Sequence, residues 1–228
     1  MPSNSLAALL AGLAEIQALQ RANPSPQEGS GLKRPEVARA IGRSEIVLLS
    51  SHFERFIYAL NEEAVDAICC SAIVSDVLPQ KLKLVHSRHA IELISSTVWE
   101  RRASALTEYS AQESWLWSPN APVVTLDPGR LLMWMKTPSP KNVVRVFQIW
   151  GIDDIFREIT RKSVTRGRLR LRLGELVEKR NNIAHGDFTV EATYLDIVQY
   201  VWAVKKFCTS TDKRLARQLS VMLSSRPW

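Results

Sequence analysis

The sequence predicts an all-α protein, a bundle of near-antiparallel helices. Apolar residues recur at three- and four-residue spacing along most of the chain, and the period-two alternation of strands is nearly absent. Helix start and stop residues sit at the edges of these runs. The 228 residues are 46% hydrophobic and 23% charged, an ordinary globular composition that excludes disorder throughout, a collagen-like fibre and a disulfide scaffold. The length suits one domain, or one domain with a small appendage, and buries a core without disulfides or metal.

The elements follow in chain order. Leu6, Leu9, Leu10, Leu13 and Ile16 define an amphipathic helix within residues 1–22 that packs on the body or on a partner. It lacks the basic start of a secretory signal, since the first cation is Arg21. Residues 23–34 carry Pro24, Pro26, Gly29 and Gly31 and read as a linker. The helical domain proper then spans 35–228, with Pro35 suited to a first helical position. Val37, Ile41, Ile46, Phe53 and Leu60 keep the helical rhythm, and Asn61 is a cap for a further helix to about Ser75. Pro79 opens a long helix over 80–104.

Residues 105–138 hold Trp115, Trp117 and Trp134 among Pro119, Pro122, Pro128 and Pro138, and read as an irregular Trp/Pro-rich insertion. Val123 to Leu126 is its one strand candidate. Ser139 and Pro140 cap and open a helix through Trp150, stopped by Gly151. Asp153 or Asp154 starts a short one. Residues 162–168 read as a basic turn around Gly167, and Leu169 to His185 as a helix stopped by Gly186. Thr193, with Asp196 three residues on, starts a helix to about Cys208, and Thr211-Asp212 starts a last one to about Leu223.

The formal net charge is +7, and its location is informative. Residues 1–156 hold 15 Lys/Arg against 16 Asp/Glu, whereas residues 157–228 hold 15 against 7. The excess sits wholly in the last third, which points to a polyanion partner or to a well-solvated helical surface. Cys69, Cys70 and Cys208 have neither disulfide-like nor zinc-like spacing, so reduced thiols and a cytoplasmic location are expected. No run of 18 apolar residues exists, so no membrane span is expected. Dinucleotide, P-loop, hydrolase-elbow and zinc-protease motifs are all absent, and no cofactor or metal is implied.

Four histidines are present, and one lies in Arg180-Asn-Asn-Ile-Ala-His-Gly186. On a helix, Asn181 and His185 share a face, with the long Arg180 stem beside them. These residue types suit cleavage of a phosphodiester by an internal 2′-hydroxyl. Histidine can take the hydroxyl proton near neutral pH. Arginine offers a planar, permanently charged fork for the phosphorane oxygens. Asn181 can orient the imidazole or hold a phosphate oxygen. One histidine supplies either the acid or the base, so a two-fold dimer would supply both. The same histidine also suits a simple helix-end cap.

The stretch 180–186 resembles the Rx4–6H signature of the HEPN superfamily. Arg43 to Phe56 is similar to the first core helix of HEPN proteins of the RiboL-PSP and MAE type. Ser139 to Phe147 with Gly151 to Ile155 resembles the segment before their catalytic helix, and Thr193 to Cys208 the helix after it. The resemblance covers about residues 37–210 and implies a HEPN-like antiparallel bundle. It further implies a metal-independent RNA endonuclease leaving a 2′,3′-cyclic phosphate, with an active cleft at a homodimer interface and a role as toxin or anti-phage or stress effector. Arg180, Asn181 and His185 are then the catalytic set. Asn182 is a weaker polar candidate beside them, and Arg161, Lys162, Arg166, Arg168 and Arg170 are phosphate-binding candidates. The runner-up is a catalytically silent HEPN module binding RNA, a nucleotide or a protein. A third reading is a nuclease held by a cognate antitoxin or inhibitory protein. His86 and His89, three apart, read as a solvated helix face, and His52 as a core-edge residue.

Overall fold

A computed structural model describes residues 1–22 and 35–228. The expected linker at 23–34 lies outside the described residues. Nine α-helices follow in order among the described residues: α1 (Asn4–Ala22), α2 (Pro35–Cys69), α3 (Gln80–Ser96), α4 (Trp99–Glu113), α5 (Pro128–Leu132), α6 (Pro140–Ile149), α7 (Ile155–Ile159), α8 (Ser163–Ala184) and α9 (Tyr194–Leu223). No strand forms among the described residues. Val123 to Leu126 stays irregular beside one isolated bridge between Val74 and Pro122, because no neighbouring run offers a ladder.

The core lies where α1, α2, α8 and α9 pack together. Phe53 of α2 meets Phe207 of α9 edge-on, with centroids 5.9 Å apart, and Phe156 meets Phe207 at 5.1 Å. All three are fully buried, each worth roughly 1.5–3 kcal/mol in transfer from water. α1 belongs to this core: Leu6, Leu9, Leu13 and Ile16 are buried against it. Glu63 accepts the free backbone N–H groups of Asn4 and Ser5 at 2.9 and 2.6 Å, so α2 caps the start of α1. Gly12 lets the helices touch, since a Cβ there would stand 2.5 Å from the His52 ring. His52 is thus wedged against α1, with Glu15 at 3.5 Å.

Four expected breaks are differently placed. α2 runs through Asn61 to Cys69, because no glycine or proline lies between Asn61 and Cys69. Buried Asn61 donates instead to the Pro128 carbonyl at 3.1 Å. The helix expected over 80–104 is two, broken at Thr97. There the hydroxyls of Ser96 and Thr97 both take the Leu93 carbonyl, and Arg102 binds the exposed carbonyls of Ser95 and Thr97. The basic turn at 162–168 is the first part of α8, with Gly167 inside the helix. Arg166 reaches back to the carbonyls of Thr160 and Arg161 and fixes that start. α9 is one helix with no break at Thr211-Asp212, since both are buried. Asp212 accepts from the Ser3 N–H at 3.3 Å instead of starting a new helix.

The 105–138 region is partly regular. α4 continues to Glu113, and α5 follows at Pro128 with Asp127 as its cap. His86 holds the region to α3. It is buried, its Nε2 accepts the Asp127 N–H at 3.0 Å, and its Nδ1 faces Glu113 at 3.4 Å. Arg130 pairs with Glu113. Burial keeps the His86 pKa below the usual histidine range. His89 is exposed, so the two histidines do not share a solvated face. Glu45 on α2 is also buried, its Oε1 has no hydrogen-bond partner among the described residues, and burial pushes its carboxyl up to about 7.

Candidate active site

The site is built by the way α8 ends. Leu169, Leu173, Leu176 and Val177 anchor the helix in the core. The last turn then emerges to solvent, and its free carbonyls are closed by the following loop. Gly186 takes φ +84°, its N–H donates to the Ile183 carbonyl at 3.0 Å, and the Asp187 N–H donates to Asn182 at 3.0 Å. That pair of bonds is a Schellman closure, which needs the left-handed residue at Gly186. His185 sits just before it, exposed at the helix end.

Arg180, Asn181 and His185 come together here. The Arg180 Nη1 donates to Asn181 Oδ1 at 3.2 Å, and the His185 N–H donates to the Asn181 carbonyl at 3.0 Å. Asn181 is thus bonded to Arg180 through its side chain and to the His185 N–H through its backbone, and the exposed His185 follows on the same closing turn. Arg180 Nη2 also lies 3.8 Å from Glu54 of α2, with both side chains partly exposed. At that exposure the pair serves to aim Arg180 and is worth well under 1 kcal/mol of stability. Asn182 is exposed on the same turn.

The loop from Gly186 to Thr193 is clamped rather than loose. Asp187 accepts from the Thr189 N–H and hydroxyl at 2.9 and 2.6 Å, and those bonds hold its carboxyl below the usual range. Lys179 donates to the Glu191 carbonyl at 2.8 Å and lies 3.5 Å from Asp196. Arg43 of α2 donates to the Phe188 carbonyl at 3.2 Å, with its guanidinium 6.0 Å from the Phe188 ring. That ring is 79% exposed. The capping box expected at Thr193 and Asp196 is present, with both bonds at 3.1 Å, and it starts α9 beside the motif. An open groove of about 560 Å³ adjoins the turn, lined by Leu19, Ala40, Arg43, Val47, Leu48 and Ile183.

The basic run is not at this place. Arg168 precedes His185 by 17 residues of one helix, an axial distance of about 25 Å. Arg170 makes two 2.9 Å bonds to Asp154 and lies over Phe156, while Arg166 holds the carbonyls before α8. Arg172 pairs with Glu175 at 2.7 Å. Arg168 stacks on Trp202 at 4.5 Å, and Arg161 and Lys162 are exposed at the far end of α8. Of the phosphate-binding candidates, only Asn182 adjoins the motif. Glu54, Arg43 and Phe188 were not singled out as site residues from the sequence. Glu54 and Arg43 are more than 100 residues away in sequence, and only packing brings them near. No cluster of three or more His, Cys, Asp or Glu able to hold a metal occurs among the described residues.

Residues 135–217, from just before α6 to within α9, match the family model described as RiboL-PSP-HEPN. This segment is similar to the HEPN domains of that family. It contains Arg180, Asn181 and His185, whereas the α2 stretch from Arg43 to Phe56 lies outside the matched residues. No curated protein and no solved structure matches the chain. Among the described residues, no helix beside the HEPN segment or within it is long and apolar enough to cross a membrane.

Proposed function

We propose that the HEPN domain cleaves RNA without a metal, at the exposed end of α8. What supports this reading is the Arg180–Asn181 side-chain bond with exposed His185 following on the same helix end, inside the matched segment. Neutral His185 takes the proton of a 2′-hydroxyl. The freed oxygen attacks the adjacent phosphorus, and the bond to the 5′ oxygen breaks as that oxygen receives a proton. The products are a 2′,3′-cyclic phosphate and a 5′-hydroxyl. Arg180 faces the non-bridging oxygens as charge builds on them, and Asn181 holds its guanidinium in place.

A single protomer provides one histidine at the turn, so it can serve as base or as acid but not as both at once. A second copy related by a two-fold axis supplies the other. Phe188, Tyr194 and Leu195 are exposed apolar side chains following His185, and they suit such a contact. A toxin, anti-phage or stress role, and a cognate inhibitor, fit a nuclease of this kind.

The test is cleavage of labelled RNA in EDTA by wild type, His185→Ala and Arg180→Ala. The reading predicts EDTA-resistant cleavage with cyclic phosphate ends, reduced at least 100-fold in both variants. Wild-type protein that binds RNA but leaves it intact would make the domain a binding module instead.

A further inference from the structure

The last helix carries a charged strip that the cleavage turn does not use. From Ile197 to Trp228 the only carboxylate side chain is Asp212, and it is buried facing Ser3. Six cations occupy the same stretch. Arg214 pairs with Glu158 at 3.0 Å. Lys205, Lys206, Lys213, Arg217 and Arg226 have no carboxylate within 4 Å among the described residues. Two shallow grooves of about 330 and 230 Å³ run along them and share Lys213. The first begins at Trp202, the second includes Arg217 and Arg226. Trp202 carries the exposed Arg168 of α8 over its ring, with the guanidinium carbon 4.5 Å from the centroid.

We infer that this strip, from Arg168 and Trp202 along Lys205, Lys206 and Lys213 to Arg217, binds the phosphate backbone of an RNA substrate at a distance from the scissile bond. Trp202 to Arg217 spans 15 helical residues, about 22 Å. At about 3.4 Å per phosphate along a strand, that accommodates roughly six phosphates. Lys205, Lys206, Lys213 and Arg217 lie along one helix, with Arg168 reaching in from α8, and the one carboxylate among them, Asp212, is buried, so the surface reads charge and spacing, not sequence. Trp202 and Arg168 mark the near end, Trp202 about 12 Å along α9 from its start and Arg168 about 25 Å along α8 from His185. That range corresponds to roughly four to seven nucleotides between the cleaved bond and the strip. The site therefore favours long RNA and handles a dinucleotide poorly. The choice of RNA as the polyanion rests on the cleavage reading above.

The experiment compares wild type with Lys205→Gln/Lys206→Gln/Lys213→Gln. All three lysines are exposed, and circular dichroism confirms that the variant is folded. Binding of a 30-nucleotide RNA, 2′-O-methylated to prevent cleavage, is measured by fluorescence anisotropy from 50 to 300 mM salt. The slope of log K against log salt should fall in magnitude by about 2, at roughly 0.7 for each lost single-strand phosphate contact. The catalytic efficiency on an unmodified 30-mer should drop at least tenfold while that on a dinucleotide is unchanged. An unchanged slope overturns the inference. So does binding that shifts only for vesicles of anionic phospholipid. A normal patch-dependent slope in a protein that cleaves nothing leaves the strip standing and removes the cleavage reading.

Discussion

Replacing Gly186 by alanine tests the construction of the turn that carries His185. Gly186 has φ +84°, and no heavy atom lies within 4 Å of the place a Cβ would occupy. The cost is therefore backbone conformation alone, about 1–2 kcal/mol for an L residue in the left-handed region. For a chain of this length each kcal/mol shifts the melting temperature by roughly 2–4 °C, so Gly186→Ala should melt about 2–8 °C lower. If the loop escapes the strain by leaving that conformation, the two bonds closing α8 are lost and His185 moves with them. A displacement of about 1 Å at a reacting group costs on the order of 100-fold in rate. Gly167→Ala is the control. It also has open space around the new methyl, but it lies inside α8, where alanine gains about 0.5–1 kcal/mol. Differential scanning calorimetry and RNA cleavage on both variants make the comparison. Equal shifts of the same sign, or a Gly186→Ala protein as stable as wild type, would refute the account of the turn.

Glu45→Gln tests the buried carboxyl on α2. Its folded pKa of about 7 stands above the ordinary carboxyl value, so wild-type stability is fully present below about pH 4.5 and is lost as pH rises to 7. The variant should match wild type near pH 4.5 and exceed it at pH 8 by up to about 3 kcal/mol in urea unfolding; a constant difference across pH would exclude the assignment. Leu195→Glu places a charge on a 62% exposed apolar position beside the turn and should yield a monomer by sedimentation with cleavage reduced at least tenfold. A dimer that persists would place the contact elsewhere. Arg180→Lys keeps the charge but loses the planar fork, so cleavage should fall at least tenfold with RNA binding within twofold. Equal cleavage would mean that Arg180 acts only as a positive charge.

The local signals were legible wherever a cap was chemically distinctive. Ser139 before Pro140, Asp154 before Ile155, the Thr193–Asp196 box and Gly186 all mark helix ends in the structure. Signals of weaker chemistry were overridden by burial. Asn61 and Thr211-Asp212 have cap-like side chains, but each is buried and bonds a distant group, so α2 and α9 run on. Gly167 reads as a turn in the sequence, which does not show that Arg166 reaches back to hold the helix start. The motif at 180–186 was readable as a unit because its three residues lie within six positions. Glu54, Arg43 and the α9 strip were not, since their neighbours are set by packing between helices far apart in sequence. The basic run illustrates the opposite error: nearness in sequence to His185 becomes about 25 Å along a rigid helix.

The described ends of the chain lie close together. Met1 shares a groove with Arg226, Pro227 and Trp228, and Ser3 bonds Asp212 about three turns before α9 stops. That corner is more than 30 Å along α9 from the turn holding His185. An affinity tag at either end would therefore leave the turn holding His185 uncovered but would crowd Lys213, Arg217 and Arg226. Salt-dependence measured on tagged protein would understate the strip, and tag removal belongs before any such titration. The same proximity makes the fold a natural substrate for circular permutation: a short glycine–serine bridge joining the ends, with new ends opened between α7 and α8, leaves every residue of the turn in place.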